Sequence, residues 1–192
     1  MERQFIMKLT NAFKHFIKIC KHKYWVGYYC FKAGIPWRGI KHDMSKFSPT
    51  EFWESVKYYQ GDSSPIDACK KVNGWSKAWQ HHKGRNDHHY EYWQDNFDNG
   101  GNPILMPKEC AIELVCDYLG AGRAYQGKNF TYAGEYKWWS AKCEKPIAMH
   151  PKIKEFVEYS MQSCWADEVA HIPIKLNHLS KIYDCIVLGK NN

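Results

Sequence analysis

A chain of 192 residues with a formal charge of +7 and 16% aromatic residues is long enough to bury a sizeable core as one domain, without disulfides or a structural metal. Its basic balance points to anionic partners, whether a nucleotide, a phosphate ester, nucleic acid or an anionic membrane surface. No run approaches the roughly 18 apolar residues of a membrane span, and the first residues alternate apolar side chains with Lys and Arg, unlike a cleavable leader. The eight cysteines form no CxxC pair, so a cytoplasmic chain with reduced, mostly buried thiols is expected.

From residue 9 to 31 there is no proline and one glycine, and Phe13, Phe16, Ile17, Cys20, Tyr24 and Tyr28 recur at three- and four-residue spacing. That pattern predicts a long amphipathic helix carrying His15 and His22, closed by Gly34-Ile35-Pro36. A second helix is predicted from Trp37 and carries His42-Asp43. Ser48-Pro49-Thr50-Glu51 reads as a cap with proline in the first turn, opening a third helix through Phe52, Trp53, Val56 and Tyr59. A further helix is predicted over 65–82, ended by the turn-like run 83–87.

Asp98-Asn99-Gly100-Gly101-Asn102-Pro103 is the strongest loop in the chain. Pro107 starts a helix through Ile112, Leu114, Val115 and Leu119, which Gly120 and Gly122 are expected to end; Glu113 and Asp117 lie one turn apart on it. Helices over 151–169 and 176–188 complete the chain. Strand alternation is nearly absent. The expected fold is all-α: one compact domain over 1–192 of about six to eight helices, with a core over about 9–125 and C-terminal helices over about 151–188.

The chemistry concentrates around His42-Asp43-Met44-Ser45-Lys46. Neutral imidazoles and carboxylates bind divalent first-row metals. Adjacent helical residues point about 100° apart, so an ion touched by both His42 and Asp43 must sit beside a helix end or in a groove between helices. His22 precedes the pair, His81, His82, His88 and His89 follow it, and Asp117 stands on a later helix.

In that order the residues resemble the metal-binding pattern of the HD-domain superfamily: a His, then His-Asp, then a distant Asp, here His22, His42, Asp43 and Asp117. Its two-metal branch adds histidines between the pair and the last Asp. The two members of a doublet cannot easily both bind one ion, so His82 and His88 are the favoured ligands, and His89 is included because the two-metal branch often uses a doublet. Lys46 matches the HDxxK form of that branch. The runs His42 to Ser48 and His81 to Trp93 also resemble a family of small bacterial and phage proteins catalogued as domain of unknown function 5662, over most of residues 20–125.

The resemblance implies one or two divalent ions (Mn, Mg, Fe, Zn, Co or Ni) and a phosphohydrolase acting on a nucleotide or other small phosphate ester through metal-activated water, with Asp43 and Lys46 in the chemistry. Arg38, Lys41 and Arg85 are candidates to hold substrate phosphate. The alternatives are a di-iron oxygenase on the same cage and a non-enzymatic basic module for nucleic acid or a host protein. Glu113 is the rival of Asp117 as a ligand, and Asp87 and Glu91 are candidates to orient imidazoles. Trp75, Trp79, Trp93, Trp138 and Trp139 read as core rather than base-stacking surfaces. His150, His171 and His178 read as structural or exposed.

Overall fold

The computed structural model of the chain describes residues 2–190, with side chains from residue 9 onward. Nine α-helices stand among the described residues: α1 (Glu2–Lys32), α2 (Pro36–Lys41), α3 (Pro49–Lys57), α4 (Pro65–Asn73), α5 (Lys77–Lys83), α6 (Lys108–Gln126), α7 (Tyr132–Cys143), α8 (Pro151–Val169) and α9 (Leu179–Ile186). The expected all-α architecture holds. The one β feature described is an isolated antiparallel bridge between Gln94 and Pro103. No described helix is long and apolar enough to cross a membrane.

The helix count exceeds the expected six to eight for two local reasons. The predicted helix over 65–82 is two helices. Gly74 adopts φ 77° and donates its N–H to Lys70 O at 2.8 Å, closing α4. The Ser76 hydroxyl then accepts from Trp79 N and opens α5. A left-handed Gly and a Ser cap only two residues apart break the chain more firmly than composition alone suggests. The second addition, α7, is capped by Thr131, whose hydroxyl accepts from Gly134 N at 3.0 Å. Its Tyr, Trp and Lys residues lie all round the helix, so no periodic stripe announces it.

α6 is the central element, buried through an unbroken run from Cys110 to Gly120. It runs past Gly120 and Gly122 instead of ending there. Both glycines serve close approach: a Cβ at Gly120 would lie 2.4 Å from Val26 Cγ2 of α1, and one at Gly122 would lie 1.9 Å from Glu135 Oε2 of α7. Without those side chains α1 lies tightly along α6, and the shared core continues through Trp139, Ile153, Phe156 and Leu179. Trp139 is core, as read from the sequence, but Trp75 and Trp138 are exposed. His150 has a structural task, its Nδ1 accepting from Lys152 N at the start of α8. The eight cysteines are free thiols, five of them buried.

Glu135 is buried under Gly122, with Gln126 Nε2 donating to it at a long 3.4 Å. Burial, then the nearby Asp117 charge, pushes its carboxyl up from 4.5 to about 7. The folded state therefore holds this proton more tightly than the unfolded chain. The resulting stability is complete below pH 4.5 and is lost as pH rises to about 7, at about 1.4 kcal/mol per unit. Glu135→Gln is expected to flatten that slope and to raise stability at pH 8 by about 3 kcal/mol. Denaturant melts at pH 5 and pH 8 check this, and an unchanged slope in the variant would refute it.

Candidate metal centre

The site lies where α1, the turn after α2, α5, the following loop and α6 converge. His22 comes from the buried face of α1, two turns after His15. α2 ends at Lys41, so His42-Asp43 lies outside the helix rather than within it: His42 takes φ −48°, ψ 129° and Asp43 the left-handed φ 54°, ψ 27°. This abrupt turn lets two adjacent side chains converge, which neighbouring helical positions cannot do. Left-handed backbone is costly for most residues and tolerable for Asp. A single 3₁₀ turn, Met44–Phe47, then returns Lys46 Nζ to 2.5 Å from Asp43 Oδ2.

Around Asp43 Oδ2, four donors face one another. His22 Nε2 lies 3.1 Å and His42 Nε2 3.2 Å from Oδ2, while Asp117 Oδ1 lies 3.1 Å from His22 and 3.3 Å from His42. Around Asp43 Oδ1 the partners differ, with His82 Nε2 at 3.3 Å and His88 Nε2 at 3.6 Å. His89 completes that second group, and in each group the donor atoms lie within 4.8 Å of one another. The structure thus brings together His22, His42, Asp43, His82, His88, His89 and Asp117, with Asp43 common to both groups.

The other nitrogen of three of these imidazoles is held from behind. Glu113 Oε1 lies 2.8 Å from His42 Nδ1 and 3.2 Å from His88 Nδ1. Glu51 joins His82 Nδ1 at 2.8 Å and His81 Nδ1 at 2.6 Å. Carboxylates on Nδ1 leave Nε2 as the nitrogen aimed at the centre. The one-turn offset between Glu113 and Asp117 therefore separates a rear carboxylate from a front one. Glu51 had no expected part here. Its signal was visible as Ser48-x-x-Glu51, but in this cap Ser48 accepts from Glu51 N while the Glu51 side chain turns to histidines instead of back to the helix end. Asp87 pairs with Arg38 rather than an imidazole, and Glu91 Oε2 meets no hydrogen-bond partner among the described residues.

Burial would raise the acids, but their neighbours prevail. Asp43 is held well below the usual carboxylate range by His42 and Lys46, Asp117 by His22 and His42, and Glu113 at about 2 by His42 and His88. His89 is driven well below its ordinary value, first by burial and then by His88, so it presents a neutral imidazole. Asp43 Oδ1, His88 Nε2 and His89 Nε2 are buried and meet no hydrogen-bond partner among the described residues. Orphaned acceptors at the focus of a nitrogen- and oxygen-donor cage fit divalent cations.

Glu113 links the cage to the surface, since its Oε2 also accepts from Arg38 Nε. Glu113→Gln keeps the shape but cannot accept from both imidazoles and the guanidinium with full charge. A loss of about 10–100-fold in affinity for divalent metal is expected, read by competition against a chromophoric chelator. Wild-type affinity in that variant would remove Glu113 from this role.

A cavity of about 220 Å³ opens beside the cage. His22, His82, His89, Asp117 and Lys46 line it together with His15, Lys18, Trp79 and Tyr125. Arg38, Lys41 and Arg85 instead line a separate concavity behind His42 and His88, and Arg38 is committed to Glu113 and Asp87. The cations on the cavity are Lys46 and Lys18, the latter 4.5 Å from the Tyr125 ring centre and donating to Ala124 O. Sequence order did not single out Lys18, which lies one turn before His22 on α1.

Fold and site together define an all-helical protein with paired His/Asp donor sets buried between helices and a small cationic cavity beside them. Residues 11–163 match a family described as a family of unknown function, DUF5662, and the chain belongs to it. Searches of curated proteins and of solved structures returned no match.

Proposed function

We propose that this chain is a metal-dependent phosphohydrolase of HD-domain type, acting on a nucleotide or another small phosphate ester. The observation that carries the reading is Asp43: its two oxygens face two different histidine groups, and the small cavity beside both of them is lined by Lys46. His22, His42, Asp43 and Asp117 would hold one ion, and Asp43, His82, His88 and His89 the other. Ions bound there supply Lewis acidity toward a phosphoryl oxygen and lower the pKa of bound water toward neutrality. Lys46, paired with Asp43, and Lys18 both line the cavity and would offer positive charge to the phosphoryl group. His15, lowered to about 4 by burial and then by the Lys46 charge, is neutral near pH 7 and suits an uncharged polar atom of the leaving group. A cavity of about 220 Å³ favours a compact ester over a polynucleotide.

Elemental analysis of gently purified protein, followed by phosphate release from a broad panel of nucleotides and phosphomonoesters with Mn, Co or Mg, tests this reading. Metal-replete protein inactive across the panel would overturn it. The nitrogen-rich second group, three imidazoles to one carboxylate, favours a further reading, a di-iron oxygenase, because imidazole suits iron better than magnesium. Colour and an iron-to-protein ratio near two would select it; iron-free, colourless protein from anaerobic preparation would discard it.

A further inference from the structure

We infer that the outer face of α1 and α2 is a docking surface for an anionic lipid membrane. The inference rests on charge and exposed apolar surface and is independent of the metal centre.

Residues 9–42 contain seven of the chain's 27 Lys and Arg residues and none of its 20 acids. The same stretch exposes large apolar side chains: Phe13, Tyr24, Phe31, Trp37 and Ile40 are each 62–74% exposed. At about 100° per residue, Phe13, Phe16, Ile17, Tyr24, Tyr28 and Phe31 fall within about 120° of the α1 circumference. His15, Ile19, His22, Val26 and Tyr29 occupy the largely opposite, buried arc. α1 therefore has two apolar stripes, one spent on the core and one facing outward. Lys14, Lys21 and Lys32, all exposed, run along the edge of the outer stripe.

α2 extends this face. Gly27 and Gly39 let the two helices touch, since a Cβ at Gly39 would lie 3.0 Å from Gly27 Cα. That contact leaves Tyr24, Phe31 and Ile40 around an open apolar groove of about 610 Å³, and the exposed Trp37 stands on the same short helix as Ile40. Apolar patches of this kind on a soluble domain mark interaction surfaces. Aromatic rings bordered by lysines match the lipid interface, where rings settle at headgroup depth and lysines meet anionic headgroups.

Charge selects this occupant over two others. A second copy related by a two-fold axis would set the lysine-rich stripe against itself. A polynucleotide would be gripped by bidentate arginines and stacked on rings in a groove, but the stretch's single arginine, Arg38, is paired with Asp87 and Glu113. The face instead sets aliphatic Ile17 and Ile40 among its rings, and its basic border is lysine.

Co-sedimentation of the full chain with phosphatidylcholine vesicles, with and without phosphatidylserine, tests the inference. Binding is expected to vesicles containing phosphatidylserine and to fall with added salt. The triple variant Lys14→Gln, Lys21→Gln, Lys32→Gln is expected to bind about 100-fold more weakly, each lysine near an anionic surface contributing about fivefold. Trp37→Ser should cost about tenfold and remove a blue shift of tryptophan fluorescence on vesicle addition. These positions are exposed, and unchanged helicity by circular dichroism separates lost binding from lost folding. No sedimentation at low salt, or sedimentation indifferent to these variants, would overturn the inference. So would binding to single-stranded oligonucleotide without binding to vesicles, or a solution dimer that shields Trp37.

Discussion

Asp43→Asn is expected to reduce phosphoester hydrolysis by about 10³-fold, the several kcal/mol supplied by metal-ion catalysis, and to cut bound divalent metal from two ions per chain to one or none. The substitution preserves volume but replaces an anionic oxygen with an amide nitrogen that turns hydrogens toward any cation. Because Oδ2 serves the His22–His42–Asp117 group and Oδ1 the His82–His88 group, no amide orientation spares both. His22→Ala and His82→Ala are the controls, since each touches one group and should leave the other ion in place. Elemental analysis reads all three variants. Two ions retained in Asp43→Asn would end the idea of a shared carboxylate.

Saturating divalent metal is expected to raise the melting temperature by about 8–16 °C per site over chelated protein. A ligand at a thousandfold excess over its Kd adds about 4 kcal/mol to folding, and a chain of this size shifts about 2–4 °C per kcal/mol. The expectation follows from where the donors sit. His22, His42, Asp43, His82, His88 and Asp117 are all buried, so cations that complete their coordination bind the folded chain and have no comparable site in the unfolded one. The shift should shrink as pH falls through the histidine range, because protonated imidazole is no ligand. Calorimetry with chelator, then with Mn restored, measures it. Coincident melting curves would show that the cage binds no such ion.

Both expectations depend on residues legible in the chain to different degrees. The grouping of His22, His42, Asp43 and Asp117 is legible because order along the chain carries their pattern. Their partners behind the cage are not. Glu51 looked like half of a cap, Glu113 looked like a rival ligand, and Arg38 looked like a phosphate clamp. Glu113 and Arg38 changed meaning once the helices packed, when Glu113 Oε1 met His42 and His88 and its Oε2 met Arg38. Gly120 and Gly122 read as a helix end for the same reason, since a glycine that stops a helix and one that admits a neighbour look identical until the neighbour is known. The break at Gly74 and the helix α7 were lost for a local reason, one a short capped interruption and the other a helix without an apolar stripe.

By itself the sequence determined the helical class, the long first helix, the cap at Ser48, and the set of imidazoles and carboxylates, because periodicity, capping chemistry and donor type are properties of residues in order along the chain. Only the tertiary structure decided that Asp43 faces two histidine groups at once, that Glu51 and Glu113 stand behind the cage while Asp117 stands before it, and that Lys18 rather than Arg38 reaches the cavity. Those assignments depend on distances between helices and on which nitrogen of each ring faces inward, and these exist only after packing.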